Sequence, residues 1–222
     1  MIRRDYMLRM VAEMAQVLTR VISLKGRQEY DQALKEINAA LRELRDDSDG
    51  SATELSLADW IALCRKHEQA ASGLMIAVAE LLKEQGDVLT SQNNPDGSAK
   101  SRALALGLFL EGLLNGETFV TAELLGKVEE LFGQVRSTLS DSEVWRRLLR
   151  YFEARGRFAR AEDALFAWLA TGDSAAMTEG LSFYQRLSEQ SDTILEQGDL
   201  PRAELEQGRR EFEAAGQKIW PA

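Results

Sequence analysis

From Trp145 to Leu169 the chain runs W-R-R-L-L-R-Y-F-E-A-R-G-R-F-A-R-A-E-D-A-L-F-A-W-L. This stretch confines the fold to paired helices. Trp145, Leu148, Leu149 and Phe152 recur at three- and four-residue spacing. A helix collects them on one face, whereas a strand of period two scatters them. Gly156 ends that helix, because a residue in the left-handed region carries no Cβ clash there. Phe158, Ala161, Leu165 and Trp168 form the buried face of a second helix, with Ala161 small where two backbones approach.

The rest of the chain has the same character. Of 222 residues, 45% are hydrophobic and 28% charged, which suits a folded chain with a real core. Ala, Leu, Glu, Arg and Gln dominate, β-branched runs are absent, and Pro95, Pro201 and Pro221 are the only prolines. The expected fold is all-α, with nine to ten helices in one domain over residues 1–222. Predicted helices cover about 5–24, 28–44, 56–67, 68–85 (stopped near Gly86), 100–114 and 121–139. Beyond the hairpin, one helix is expected over about 174–197 and a last one from Pro201, fading by Gly216. Asp5, Thr121 and the run Ser140-Asp141-Ser142 serve as N-caps, and Ser56 with Asp59 forms a capping box. Residues 90–98, with N-N-P-D-G-S, read as a mobile loop.

An apolar residue followed three later by alanine recurs after a glycine turn, at Tyr30/Ala33, Phe119/Ala122, Phe158/Ala161 and Leu200/Ala203. The intervals of 89, 39 and 42 residues exceed the ~34 of a regular tetratricopeptide repeat (TPR). The expected architecture is therefore an irregular superhelix of antiparallel helix pairs, an α-solenoid. Five segments carry a further likeness: M-I-R-R-D-Y-M-L-R-M at the start, Y-D-Q-A-L-K-E-I-N-A-A-L from Tyr30, A-E-D-A-L-F-A-W-L from Ala161, G-L-S-F-Y-Q-R-L from Gly180 and G-D-L-P-R-A-E-L-E-Q-G from Gly198. On these the chain resembles a bacterial family of TPR-like proteins with no assigned activity. The resemblance covers nearly the whole chain and implies a helical-repeat fold. By analogy it implies a protein or peptide partner bound in the groove lined by each pair's first helix. The chain departs from regular repeats in spacing, and in having Leu149 and Trp168 where small residues are usual.

Charge and cysteine content narrow the function. The net charge of -9, from 27 basic and 36 acidic residues, argues against general nucleic-acid binding, which needs clustered cations. Residues 1–45 are the exception, with an excess of three positive charges. Cys64 is the only cysteine, so no internal disulfide forms and a reducing cytoplasm is expected. The N-terminus lacks a signal-peptide core, and the apolar runs at 73–82 and 103–114 are too short to span a bilayer.

Sites for chemistry are weak. Cys64 and His67 stand three apart on one helical face, but no orienting group or oxyanion donor accompanies them. Asp47, Asp49 and Gly50 fit part of a calcium loop whose first and twelfth positions, Arg45 and Ser56, lack ligands. Gly126-Lys127 fails as a phosphate loop at both ends. No cofactor, metal or catalysis is expected. The best partner-binding candidates are Arg146 and Arg150, one turn apart, with Arg147 and Tyr151 beside them; guanidinium forks suit carboxylates. The competing use of these arginines is pairing with Glu143, Glu153, Glu162 and Asp163. In the first helix, Met7, Met10, Met14 and Val17 begin an a/d stripe. It packs on the second helix or, alternatively, forms a homodimer seam.

Overall fold

The protein, seen in a computed structural model, is described over residues 2–45, 55–67, 70–115 and 120–220, with side chains from residue 9 onward. The candidate calcium loop, the Met7 side chain, Phe119 and Pro221 lie outside these residues. Eleven α-helices and no strand occur among the described residues. They fall into two compact units, 1–139 and 140–222, within the span that the sequence treats as one domain.

In the first unit, α4 (Ala71–Ser91) and α5 (Pro95–Asn115) form a long antiparallel hairpin. Leu74, Val78, Leu81 and Leu82 of α4 and Leu104, Leu108, Phe109 and Leu110 of α5 are buried. Each such leucine contributes about 1.5–3 kcal/mol by leaving water. α1 (Ile2–Gly26) and α2 (Tyr30–Arg45) pack on each other and on α4. α3 (Leu57–Arg65) sits against α4 and α5, starting with the Ser56–Asp59 capping box. α6 (Ala122–Val135) packs on α5, with Thr121 capping it through Leu124 N–H at 3.1 Å.

Two boundaries differ from the sequence expectation, each for a local reason. Gly86 does not stop α4. It lies inside the helix as a seat for Arg102 of α5, whose Cγ would stand 2.7 Å from an added Cβ. Nor do residues 90–98 form a loop. Helix reaches Ser91 and resumes at Pro95, leaving a turn of Gln92, Asn93 and Asn94 with Asn93 at φ 57°. The N-N-P-D run is a helix start: the Asn94 side chain accepts from Gly97 N–H at 3.0 Å, and Pro95 supplies a preset φ at the first helical position.

The second unit holds α7 (Ser142–Ala154), α8 (Phe158–Ala170), α9 (Ala175–Ser188), α10 (Asp192–Gln197) and α11 (Arg202–Ile219). α7 and α8 pack as the expected hairpin. Gly156 has φ 67°, and Trp145, Leu148, Leu149, Phe152, Phe158, Ala161, Leu165 and Trp168 are all buried. The single helix expected over 174–197 is broken, because the Ser191 hydroxyl accepts from Ile194 N–H at 3.4 Å and starts α10. That break raises the count to eleven. α11 runs through Gly216 instead of fading there, because Gly216 is a buried seat for Met177 of α9. The alanine motif does not mark equivalent positions: Ala33 and Ala161 are buried, whereas Ala122 and Ala203 are exposed.

Candidate binding surface

The arginine face is built on α7. Asp141 caps the helix through Glu143 N–H at 2.9 Å, which fixes the first turn and so the direction of Glu143. Glu143 then collects two arginines. Arg146 Nη2 donates to its carboxylate at 2.6 Å, and Arg147 Nη1 donates at 2.7 Å and also to the Glu143 carbonyl at 2.8 Å. Burial pushes the Glu143 carboxyl up, but the Arg147 hydrogen bond and the two guanidinium charges outweigh it and hold the group below its usual value.

One turn on, Arg150 is half exposed and has a loose partner, Glu179 of α9 at 3.9 Å. Arg186 of α9 grips Glu153 of α7 through both Nε and Nη2, at 2.7 and 2.8 Å, and reaches Glu179 at 3.2 Å. The four predicted partner-binding residues thus divide. Arg146 and Arg150 reach the surface together, with 33% and 52% of their side chains exposed. Arg147 and Tyr151 are buried, Tyr151 edge-on to Phe152 and under the Arg155 guanidinium. Arg146 Nε makes no hydrogen bond. The chemistry available here is bidentate capture of a carboxylate, with Glu143 and Glu179 as the ligands to be displaced.

Of the predicted seam on α1, Met14 is buried and Met10 and Val17 are half-buried. They line a cavity of about 230 Å³ with Ala40 and Leu44 of α2, and Arg9, Glu13 and Glu43 also line it.

Cys64 is buried, and burial pushes its thiol up to about 12, so it keeps its proton at neutral pH. The His67 N–H donates to the Cys64 carbonyl at 3.1 Å. Among the described residues, no group of three or more His, Cys, Asp or Glu is placed to hold a metal, and no helix is long and apolar enough to cross a membrane.

Sequence spacing misses one dense cluster. Lys25 of α1, Lys83, Glu84 and Asp87 of α4, and Arg102 of α5 form a shared network. Lys25 pairs with Glu84, and with Asp87 at 3.0 Å; Lys83 meets both acids, at 3.2 and 3.1 Å; Arg102 meets Asp87 at 2.8 Å. Only Lys83 and Asp87, four apart on one helix, leave a trace in sequence. Burial would raise the Asp87 carboxyl, but hydrogen bonds from Arg102, Lys25 and Lys83 bring it down to about 2.

Fold and surface together define an all-α protein of packed antiparallel helix pairs with a charged face on its second unit. The chain belongs to a family of unknown function, DUF6483, whose model matches residues 1–215. No curated protein and no solved structure shows a significant match.

Proposed function

We propose that this chain is a non-catalytic helical scaffold of TPR-like, solenoid type that binds a protein or peptide partner through carboxylates. Arg146 and Arg150 make the contact, and Arg147 and Tyr151 hold α7 in place beneath them. The observation that carries this reading is the state of Arg150: half exposed, one turn from Arg146, and held only by a 3.9 Å contact. A surface pair of that length contributes little, so exchanging Glu179 for a partner's carboxylate costs almost nothing. The buried, protonated Cys64 supports a binding role over thiol chemistry. A lone unpaired cysteine also fits work in a reducing cytoplasm.

The test is affinity capture from native lysate with wild type beside the Arg146→Glu/Arg150→Glu double variant, read by mass spectrometry. A partner retained by wild type and lost by a variant of unchanged circular dichroism supports the assignment. A partner held equally by both removes α7 as the binding face.

A further inference from the structure

Where α8, α9 and α11 meet, a carboxylate lies against a helix backbone. Glu162 of α8 is half-buried, and Gly208 of α11 is buried beside it. A Cβ at Gly208 would collide with Glu162 Oε1, so the carboxylate fills the space that a side chain would take. The hydroxyl of Tyr184 of α9, a buried residue, donates to the same oxygen at 2.7 Å. Among the described residues that is the one hydrogen bond of the Glu162 side chain, and no cation pairs with it.

The neighbouring elements leave that charge unanswered. On α11, the residues three and four away from Gly208 share its face. They are Glu204, Leu205, Glu211 and Phe212, two exposed acids and two buried apolar residues. Arg209 and Arg210 stand round the helix, with Arg209 on Glu213 at 2.9 Å, and Arg202 is held by Asp192 and the Ser188 and Gln190 carbonyls. On α8 itself, Asp163 comes next in the chain and Arg160 lies over the Phe152 ring at 4.1 Å. On α7, Arg146 and Arg147 are held by Glu143, Arg150 reaches toward Glu179, and Arg155 lies over the Tyr151 ring. α9 offers Tyr184, a neutral donor, while its Arg186 is engaged by Glu153 and Glu179.

Apolar packing supplies other contacts of α11. The Phe212 ring lies over Gly180 of α9, edge-on to Phe166 at 5.6 Å and tilted to Tyr184 at 5.8 Å. Gly216 receives Met177 of α9. Such packing does not change with pH, whereas the charge on Glu162 does.

We propose that Glu162 is a proton-operated latch for α11. With its proton, the carboxyl is neutral and rests on Gly208 beside Tyr184. Without it, a negative charge drawn partly out of water faces Glu204 and Glu211 with no cation to offset it. α11 then loosens first, while the α7–α8 hairpin keeps its own apolar contacts. The sign follows from burial, which together with repulsion from Asp163, Glu211 and Glu204 holds the Glu162 carboxyl above its ordinary 4.5 against the Tyr184 hydrogen bond. Docking of α11 is therefore complete below that ordinary value and weakens as pH rises through the raised one. Loosening bares an apolar bed of Phe166, Gly180 and Tyr184. The latch does not depend on the α7 face as a binding surface.

Hydrogen–deuterium exchange of the full chain tests it, read by mass spectrometry on peptides of α11 and α7 from pH 4.5 to about pH 8 and corrected for intrinsic rates. As pH rises, wild type is expected to lose protection in α11 several-fold more than in α7. Glu162→Gln carries no charge and still accepts from Tyr184, so α11 protection is expected to stay level. Glu204→Gln with Glu211→Gln, both at exposed positions, is expected to reduce the fall, and it gives the reading where Glu162→Gln does not fold. Protection in α11 that follows α7 across the range overturns the proposal. So does a fall as large as that of wild type in a folded Glu162→Gln or in the double variant.

Discussion

The two units use the same ion-pair chemistry in opposite ways. In the first, Lys25, Lys83 and Arg102 converge on Glu84 and Asp87 at side-chain exposures between 8% and 29%, and the cluster ties α1 to the α4–α5 hairpin. In the second, Arg146, Arg150 and Arg186 meet Glu143, Glu153 and Glu179 on an open face, with arginine exposures of 33% to 52%. Away from water, a missing partner leaves uncompensated charge, so the cluster behaves as structure. In water, partners exchange at little cost, so the face behaves as a surface for recognition.

The largest expected effect tests the first half of that contrast. Asp87→Ala removes the carboxylate shared by three cations and is expected to cost about 2–4 kcal/mol, below the full value for a buried pair because the group retains some solvent. Urea unfolding measures it, and a loss under about 1 kcal/mol would place the cluster with ordinary surface pairs. Next is Gly86→Leu, expected to destabilise by about 1–3 kcal/mol, since its side chain displaces Arg102 from the backbone of α4. A neutral outcome in thermal melts would mean that Arg102 has room to leave.

The pH dependence sharpens the comparison because one acid in each unit, Asp87 in the first and Glu162 in the second, is displaced in the opposite direction to the other. Asp87 is depressed to about 2. Its stabilisation is complete above the ordinary aspartate value of 3.8 and is lost as pH falls through about 2. Glu162 of α8 is raised: burial pushes it up, the Tyr184 hydroxyl at 2.7 Å partly offsets this, and Asp163, Glu211 and Glu204 add repulsion. A raised carboxyl binds its proton more tightly in the folded state, so its contribution weakens as pH rises from the ordinary 4.5 through the raised value. Glu162→Gln keeps an acceptor for Tyr184 and is expected to flatten that loss. Asp87→Asn is expected to flatten the acid limb. Urea midpoints between pH 2 and pH 8 read both, and parallel slopes in the two variants would contradict the assignment. The smallest effect is expected for Arg150→Ala, at or below about 0.5 kcal/mol. A larger shift in the melting midpoint would make Arg150 structural and weaken its case as a contact.

How much of this was legible in sequence depended on range. The α7–α8 hairpin was, because aromatic and leucine residues at helical spacing flank a glycine that must adopt positive φ. The Ser56–Asp59 box and the Thr121 and Asp141 caps were legible too, since a cap is decided within three residues. Gly86 was misleading because its role is set by Arg102, sixteen residues on. Asn94-Pro95 carried signals of both a turn and a helix start, and only packing of α4 on α5 decided between them. On the candidate face, Arg147 and Arg150 look alike in sequence, yet one is buried over Glu143 and the other half exposed. That distinction arises from the elements packed against α7, which local periodicity does not contain.

The tryptophans supply an optical consequence of this arrangement. Trp60, fully buried in α3, belongs to the first unit, and Trp145 and Trp168, buried in α7 and α8, belong to the second. Replacing Trp220 and one set by phenylalanine leaves an emission spectrum that follows a single unit. Coincident melting curves from the two versions would mark one cooperative body. Separate curves would show that light can distinguish two melting processes in this chain.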